Sequence, residues 1–173
     1  KNIDSDNYRV FENFISVSFL GTIFYHPYKA SLDMKVHCLK LKNKDLNKDI
    51  ALFLISVIKK HISYFAYNDQ LSSTVLPQLS ILLPVKENKP DWVYMENYIK
   101  ALYSKERESI SAVANYVEIP SENRIDIGNW QRFHLYDNEM FDIDMGTKLD
   151  KVKMTSLDPT VNFVGRANKN NGI

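Results

Sequence analysis

The sequence predicts an α/β (α+β) fold: a small mixed or antiparallel β-sheet domain with one packed helix and one long projecting helix. Three observations predict it. Apolar and polar residues alternate in short runs near both ends of the chain, apolar residues recur at helical spacing over 46–65, and a second helical run over 91–117 outlasts its own apolar stripe. The chain divides accordingly into 1–90, 91–119 and 120–173.

Over 14–25, Ile15, Val17 and Phe19 alternate with Ser16 and Ser18 until Gly21, and a second run follows, which predicts two strands or one bent strand. A third strand is expected over 33–41, where Lys35 and His37 interrupt apolar positions. The helix over 46–65 has Asn43, Asp45 and Asn47 available as N-cap. Residues 79–85 lie between Pro77 and Pro84 and read as a strand at a sheet edge or one ending at Pro84, since proline donates no ladder hydrogen bond.

Pro90 and Asp91 open the second helix, whose stripe is Trp92, Met95, Ile99, Leu102, Ile110, Val113 and Val117. Its charged middle, 104–109, predicts a distal half that projects or pairs with another helix. Segments 131–136, 140–143 and 160–164 read as short strands. The chain then reaches Asn171-Gly172, a strong hairpin-turn signal with one residue after it, so the missing strand is sought near 8–20 and the two termini are expected to meet.

A chain of 173 residues with 45% hydrophobic content builds a core without staples or metals. Twenty-two Lys and Arg against twenty-one Asp and Glu leave +1, so any polyanionic partner must be met by local charge. The lone cysteine, Cys38, suits a reducing compartment, and the cytoplasm is expected. No apolar run is long enough to span a bilayer, so no membrane partner is expected. The sequence opens on Lys1 instead of Met, which reads as a segment of a longer protein.

Catalytic signatures are weak. His26, His37, His61 and His134 are scattered without metal-ligand spacing, five glycines form no phosphate loop, and no nucleophile elbow is present. Asp142 and Asp144, and Glu87-Asn88-Lys89, carry only faint nuclease-like patterns. His61 falls on the buried register of the first helix. Neither catalytic residues, nor a metal, nor a cofactor is assigned.

Charge summed by segment says more. Residues 29–60 carry net +5 and residues 148–173 net +3, whereas 61–147 carry net −6. Meeting termini would join the two basic segments into one surface. They also hold groups that read base edges: Arg166, Asn168, Lys169, Asn170 and Asn171 after a strand, where Arg suits guanine and Asn adenine. A second loop, Tyr25-His26-Pro27-Tyr28-Lys29-Ala30-Ser31, interleaves aromatics with a base.

In these segments and their neighbours the sequence resembles the target recognition domain of the specificity (S) subunit of type I, and related type IIB, restriction-modification systems. The resemblance rests on Gly21-Thr22-Ile23-Phe24-Tyr25-His26-Pro27-Tyr28, the helix over 46–65, and Phe65-Ala66-Tyr67-Asn68-Asp69-Gln70-Leu71-Ser72 leading to Ile81-Leu82-Leu83-Pro84-Val85. Pro90-Asp91-Trp92-Val93-Tyr94-Met95-Glu96-Asn97-Tyr98, the segment 130–141, Gly146-Thr147-Lys148 and Phe163-Val164-Gly165-Arg166 onward extend it over most of the chain. The order is permuted, because in the family pattern the Trp130-like segment comes first. Either one domain is circularly permuted, or two half-domains are joined.

The resemblance implies sequence-specific duplex DNA recognition without catalysis, on behalf of DNA methyltransferase (M) subunits and a restriction (R) subunit. It implies DNA contact by Arg166, Asn168, Lys169, Asn170 and Asn171, then by Tyr25, His26, Tyr28, Lys29 and Ser31, and then by Tyr67, Asn68, Gln70 and Ser72. The long helix becomes a docking surface for methyltransferase subunits or for a homodimer. The competing expectations are a fragment of a fused restriction-methylation enzyme and a protein-interaction domain that binds no DNA.

Overall fold

A computed structural model describes residues 9–63, 65, 71–113, 127–136, 140–146, 161–166 and 168–172. Its strands are β1 (Phe14–Ser18), β2 (Ile23–His26), β3 (Ala30–Leu32), β4 (Val36–Leu41), β5 (Ser80–Lys86), β6 (Lys89–Pro90), β7 (Trp130–His134), β8 (Phe141–Met145) and β9 (Asn162–Val164). Its helices are α1 (Lys48–Ile62) and α2 (Trp92–Val113). The mixed sheets with two helices give the α+β class that the patterning predicts.

The strands β1 and β2 form an antiparallel hairpin through Gly21, which sits at φ 78° where a side chain would be strained. Adding β4 and β8 gives a four-stranded sheet in the order β2-β1-β4-β8. One face carries Ile15, Val17, Leu39 and Leu41 against α1 in the larger core; the other carries Phe14, Val36 and Cys38 against Ala30, Leu32 and Val164. All five residues of β1 are therefore buried, serines included. Ser16 bonds His26, and Ser18 accepts from the Thr22 hydroxyl at 2.6 Å, so neither hydroxyl is stranded.

Asn47 caps α1, its Oδ1 accepting from Ile50 N at 2.9 Å, while Lys59, Lys60 and His61 in the last turn suit the negative end of the helix dipole. Ile50, Phe53, Leu54, Ile58 and Ile62 repeat at helical spacing and fill the core. His61 is half-buried, and its Nδ1 lies 3.0 Å from the Val57 carbonyl. A second sheet, β6-β5-β7, joins this core through Ile81 and Leu83.

The expectation for 79–85 is corrected in both its forms. The strand β5 is central to its sheet and runs past Pro84 to Lys86. It pairs with β7 from Ser80 to Pro84 and with β6 only at Val85 and Lys86. Pro84 thus stands where one partner gives way to the other, and its carbonyl accepts from Asp91 N. Glu87 and Asn88 form the tip of the β5-β6 hairpin at φ 54° and 61°, so the nuclease-like triplet is a two-residue turn followed by the first residue of β6.

Asp91 caps α2 through Tyr94 N at 2.9 Å. Met95 and Ile99 are buried, but from Ser104 to Ile110 all side chains are exposed except half-buried Ser109, so the distal half projects as the charged middle predicts. Residues 114–117 of the expected helix lie outside the described residues. No helix among the described residues is long and apolar enough to cross a membrane.

The C-terminal strands are distributed among all three sheets. The strand β7 pairs with β5, β8 with β4, and β9 runs parallel to β3. The expected hairpin at Asn171-Gly172 is instead a short 3-10 turn over Asn170–Gly172, with Asn170 and Asn171 at φ 50° and 55°, a region asparagine tolerates. This turn lies against β2. Residues 1 and 173 themselves lie outside the described residues.

Candidate nucleic-acid interface

The parallel pair β3-β9 organises the candidate residues. Asp33 and Arg166 follow these two strands, so they emerge at one end; the Arg166 guanidinium lies 4.0 Å from the Asp33 carboxylate and stays about half exposed. Asp33 is itself fixed, its Oδ1 accepting from Lys35 N at 3.1 Å. Asn168, Lys169, Asn170 and Asn171 are exposed. From Arg166 the chain returns to β2, where the Asn170–Gly172 turn rests.

Tyr28 and Lys29 enter β3 from its opposite end, about 10 Å away for a three-residue strand. Lys29 is exposed, 4.0 Å from Glu12. Tyr28 is half-buried, and its hydroxyl lies 3.1 Å from His26 Nδ1. The Tyr25 hydroxyl lies 2.9 Å from Asn13 Oδ1 and 3.1 Å from the Leu46 carbonyl, and burial raises its pKa. Asn13, at φ 55°, shapes with Tyr25, Pro27 and Lys40 an open cleft of about 460 Å³.

Two expected contacts need correction on geometric grounds. His26 is 0% exposed and Ser31 1%, so neither side chain is available at the surface. Ser72 is half-buried, its hydroxyl 2.8 Å from that of Thr74 and accepting from Val75 N. Tyr67, Asn68 and Gln70 lie outside the described residues.

Summed charge also needs correction. The strand β8 places Asp142 and Asp144 beside β4, with Asp142 opposite Lys40 in register. Asp142 lies 3.9 Å from Lys42, whose ammonium also stands over the Tyr136 ring, and Asp144 pairs with Arg9 at 3.2 Å. The basic segments are therefore interrupted by an acidic strand. The residues that sequence reasoning misses are Asp33, Asn13 and these two aspartates in their pairing role. Only Asp33 carries a local signal, an Asp two residues before the amide it caps.

Reactive groups are muted. Cys38 is buried, and burial, reinforced by Asp144, pushes its thiol well above the ordinary range. Burial holds His26 and His37 down to about 4, against 6.5 when solvated. Among the described residues no group of three His, Cys, Asp or Glu is placed to hold a metal ion.

An exposed arginine-asparagine turn set on a sheet beside an aromatic loop suits the reading of a polar surface. The sequence model of the type I restriction modification DNA specificity domain matches residues 3–112, and the chain belongs to that family. Among individual proteins, it is 32% identical over 129 residues to the type II restriction enzyme BgcI specificity subunit S.BcgI of Heyndrickxia coagulans. That alignment takes in 75% of this chain and 36% of the relative, so the chain spans little more than a third of that protein's length. No solved structure matches the chain.

Proposed function

We propose that this chain is a DNA target-recognition unit of a restriction-modification specificity subunit, reading a duplex sequence for methyltransferase and nuclease subunits and performing no chemistry itself. The observation that carries it is the strand pairing: the C-terminal strands join every sheet that the family-matched segment builds. That supports one permuted, complete recognition domain over two half-domains. In this reading Arg166, Asn168, Lys169, Asn170 and Asn171 contact DNA together with Tyr28 and Lys29, with Tyr25 at the edge of the adjoining cleft. Methyltransferase subunits dock on the projecting half of α2, where Leu102 and Ile110 are exposed among charged residues.

The test is selection from a pool of randomised duplexes at two salt concentrations, with binding followed by fluorescence anisotropy. Enrichment of a short motif, with affinity falling as salt rises, is the expected result. Binding without enrichment would reduce the chain to a non-specific polyanion binder, and absence of binding at low salt would overturn the reading.

A further inference from the structure

We infer that His26 is a positioning residue that turns the Tyr28 hydroxyl into a hydrogen-bond donor toward an acceptor atom of docked DNA. The inference rests on the DNA-recognition function proposed for this surface. Its basis is a chain of three groups that runs from two buried side chains to the half-buried Tyr28: Ser16 Oγ lies 2.8 Å from His26 Nε2, and His26 Nδ1 lies 3.1 Å from the Tyr28 hydroxyl. The imidazole is held in place, stacked on Phe14 at 4.9 Å and meeting the Tyr28 ring edge-on at 5.6 Å.

A neutral imidazole has one donor and one acceptor nitrogen, so the chain has two proton arrangements. In the first, Ser16 donates to Nε2 and Nδ1 donates to Tyr28, which leaves the phenolic proton free for a ligand. In the second, Tyr28 donates to Nδ1 and Nε2 donates to Ser16. The Ser16 proton is then left without an acceptor, because Ser16 is 2% exposed and His26 is its hydrogen-bond partner among the described residues. An unpaired buried hydroxyl is costly, so the first arrangement prevails. Burial supports this by keeping His26 neutral at physiological pH.

Tyr28 itself stands between exposed Pro27 and exposed Lys29, in the loop assigned to DNA. Its donated proton suits a purine N7 or a carbonyl oxygen at a base edge, or a phosphate oxygen. The two sources separate by experiment: a base contact weakens selection at one motif position, and a phosphate contact weakens binding to all duplexes alike.

The test compares the full chain with Tyr28→Phe, His26→Phe, their double variant and His26→Asn. Asn places an amide N–H where Nδ1–H stands, and Phe keeps only the stacking. Expected are roughly tenfold losses of affinity for Tyr28→Phe and His26→Phe on the selected duplex, no further loss in the double variant, and substantial recovery with His26→Asn. Independently of DNA, nitrogen NMR of the His26 ring should find Nδ1 protonated and Nε2 not. A protonated Nε2 overturns the inference, as does undiminished affinity of Tyr28→Phe or His26→Phe for a motif the parent chain selects. If His26→Phe fails to fold, Tyr28→Phe and His26→Asn decide by the same criteria. A parent chain that binds no duplex overturns the functional reading, and the inference falls with it.

Discussion

If the proposed DNA-recognition function holds, Arg166 is the side chain whose removal separates base reading from phosphate contact. Its guanidinium is about half exposed and only loosely paired with Asp33, so it is free to leave that carboxylate for a base edge. Arg166→Ala should cost about 1–3 kcal/mol on the selected duplex and much less on random DNA, measured by anisotropy titration. Equal losses on both would make it a phosphate contact. The buried histidines act in the opposite sense, on the fold. Both have folded pKa values near 4 against 6.5 unfolded, so the unfolded chain binds more protons through that window. Their stabilising neutrality is complete above about pH 6.5 and is lost as pH falls toward 4, at roughly 3 kcal/mol apiece. His37, stacked on Phe19 with no side-chain hydrogen-bond partner among the described residues, and with burial outweighing the Val17 backbone beside it, is the cleaner probe. His37→Phe should narrow the difference between urea midpoints at pH 7 and pH 4.5; an unchanged difference would clear His37 of that role.

Among the elements, α1 depends on one side chain at its start. Asn47 caps the helix and also donates from Nδ2 to Glu96 on α2 at 3.0 Å, tying the two helices together. Asn47→Ala should lower unfolding free energy by about 1 kcal/mol, and Asn47→Asp should keep the cap while setting two carboxylates against each other. Denaturant melts of both variants measure the two parts. Gly146 is the other sensitive joint: a Cβ there would stand 2.0 Å from the Asp33 carbonyl oxygen. Gly146→Ala should cost about 1–3 kcal/mol, read in the same melts, because backbone must move. How much of this is legible in the sequence depends on range. The α1 face and the β1-β2 hairpin follow from spacing within twenty residues. The three residues of β3 are too few to show a period, and its parallel pairing with β9 has no local signature. His26 reads as loop chemistry because Tyr-His-Pro-Tyr has the composition of a turn; its register opposite Phe14 puts it inside. The arginine-asparagine turn is recognisable by composition, whereas its seat on β2 is not.

For the molecule as a whole, the interleaving of early and late strands governs integrity. The ladders β5-β7, β4-β8 and β3-β9 join the segment before α2 to the segment after it. Proteolytic cleavage between residues 113 and 127 should therefore leave two fragments that co-elute on size exclusion and separate only in denaturant. Fragments that separate in native buffer would show that the two segments are independent half-domains. The acidic strand within the basic surface bears on selectivity too. Asp142 and Asp144, already paired with Lys42 and Arg9, reduce the free positive charge, so the salt dependence of binding should reflect fewer phosphates than the lysine count suggests.

The parallel pairing of β3 with β9 also has a consequence in time. Residues 30–32 meet residues 162–164 across some of the longest loops the chain can close, and such pairings make folding slow. During synthesis, the β1-β2 hairpin and α1 can form while the ribosome is still far from β9. The arginine-asparagine turn takes its place only after residues 166–172 have emerged, long after β1, β2 and α1. An interrupted translation product therefore exposes β3 and β5 without their later partners and offers aggregation-prone strand edges instead of a weakened reader.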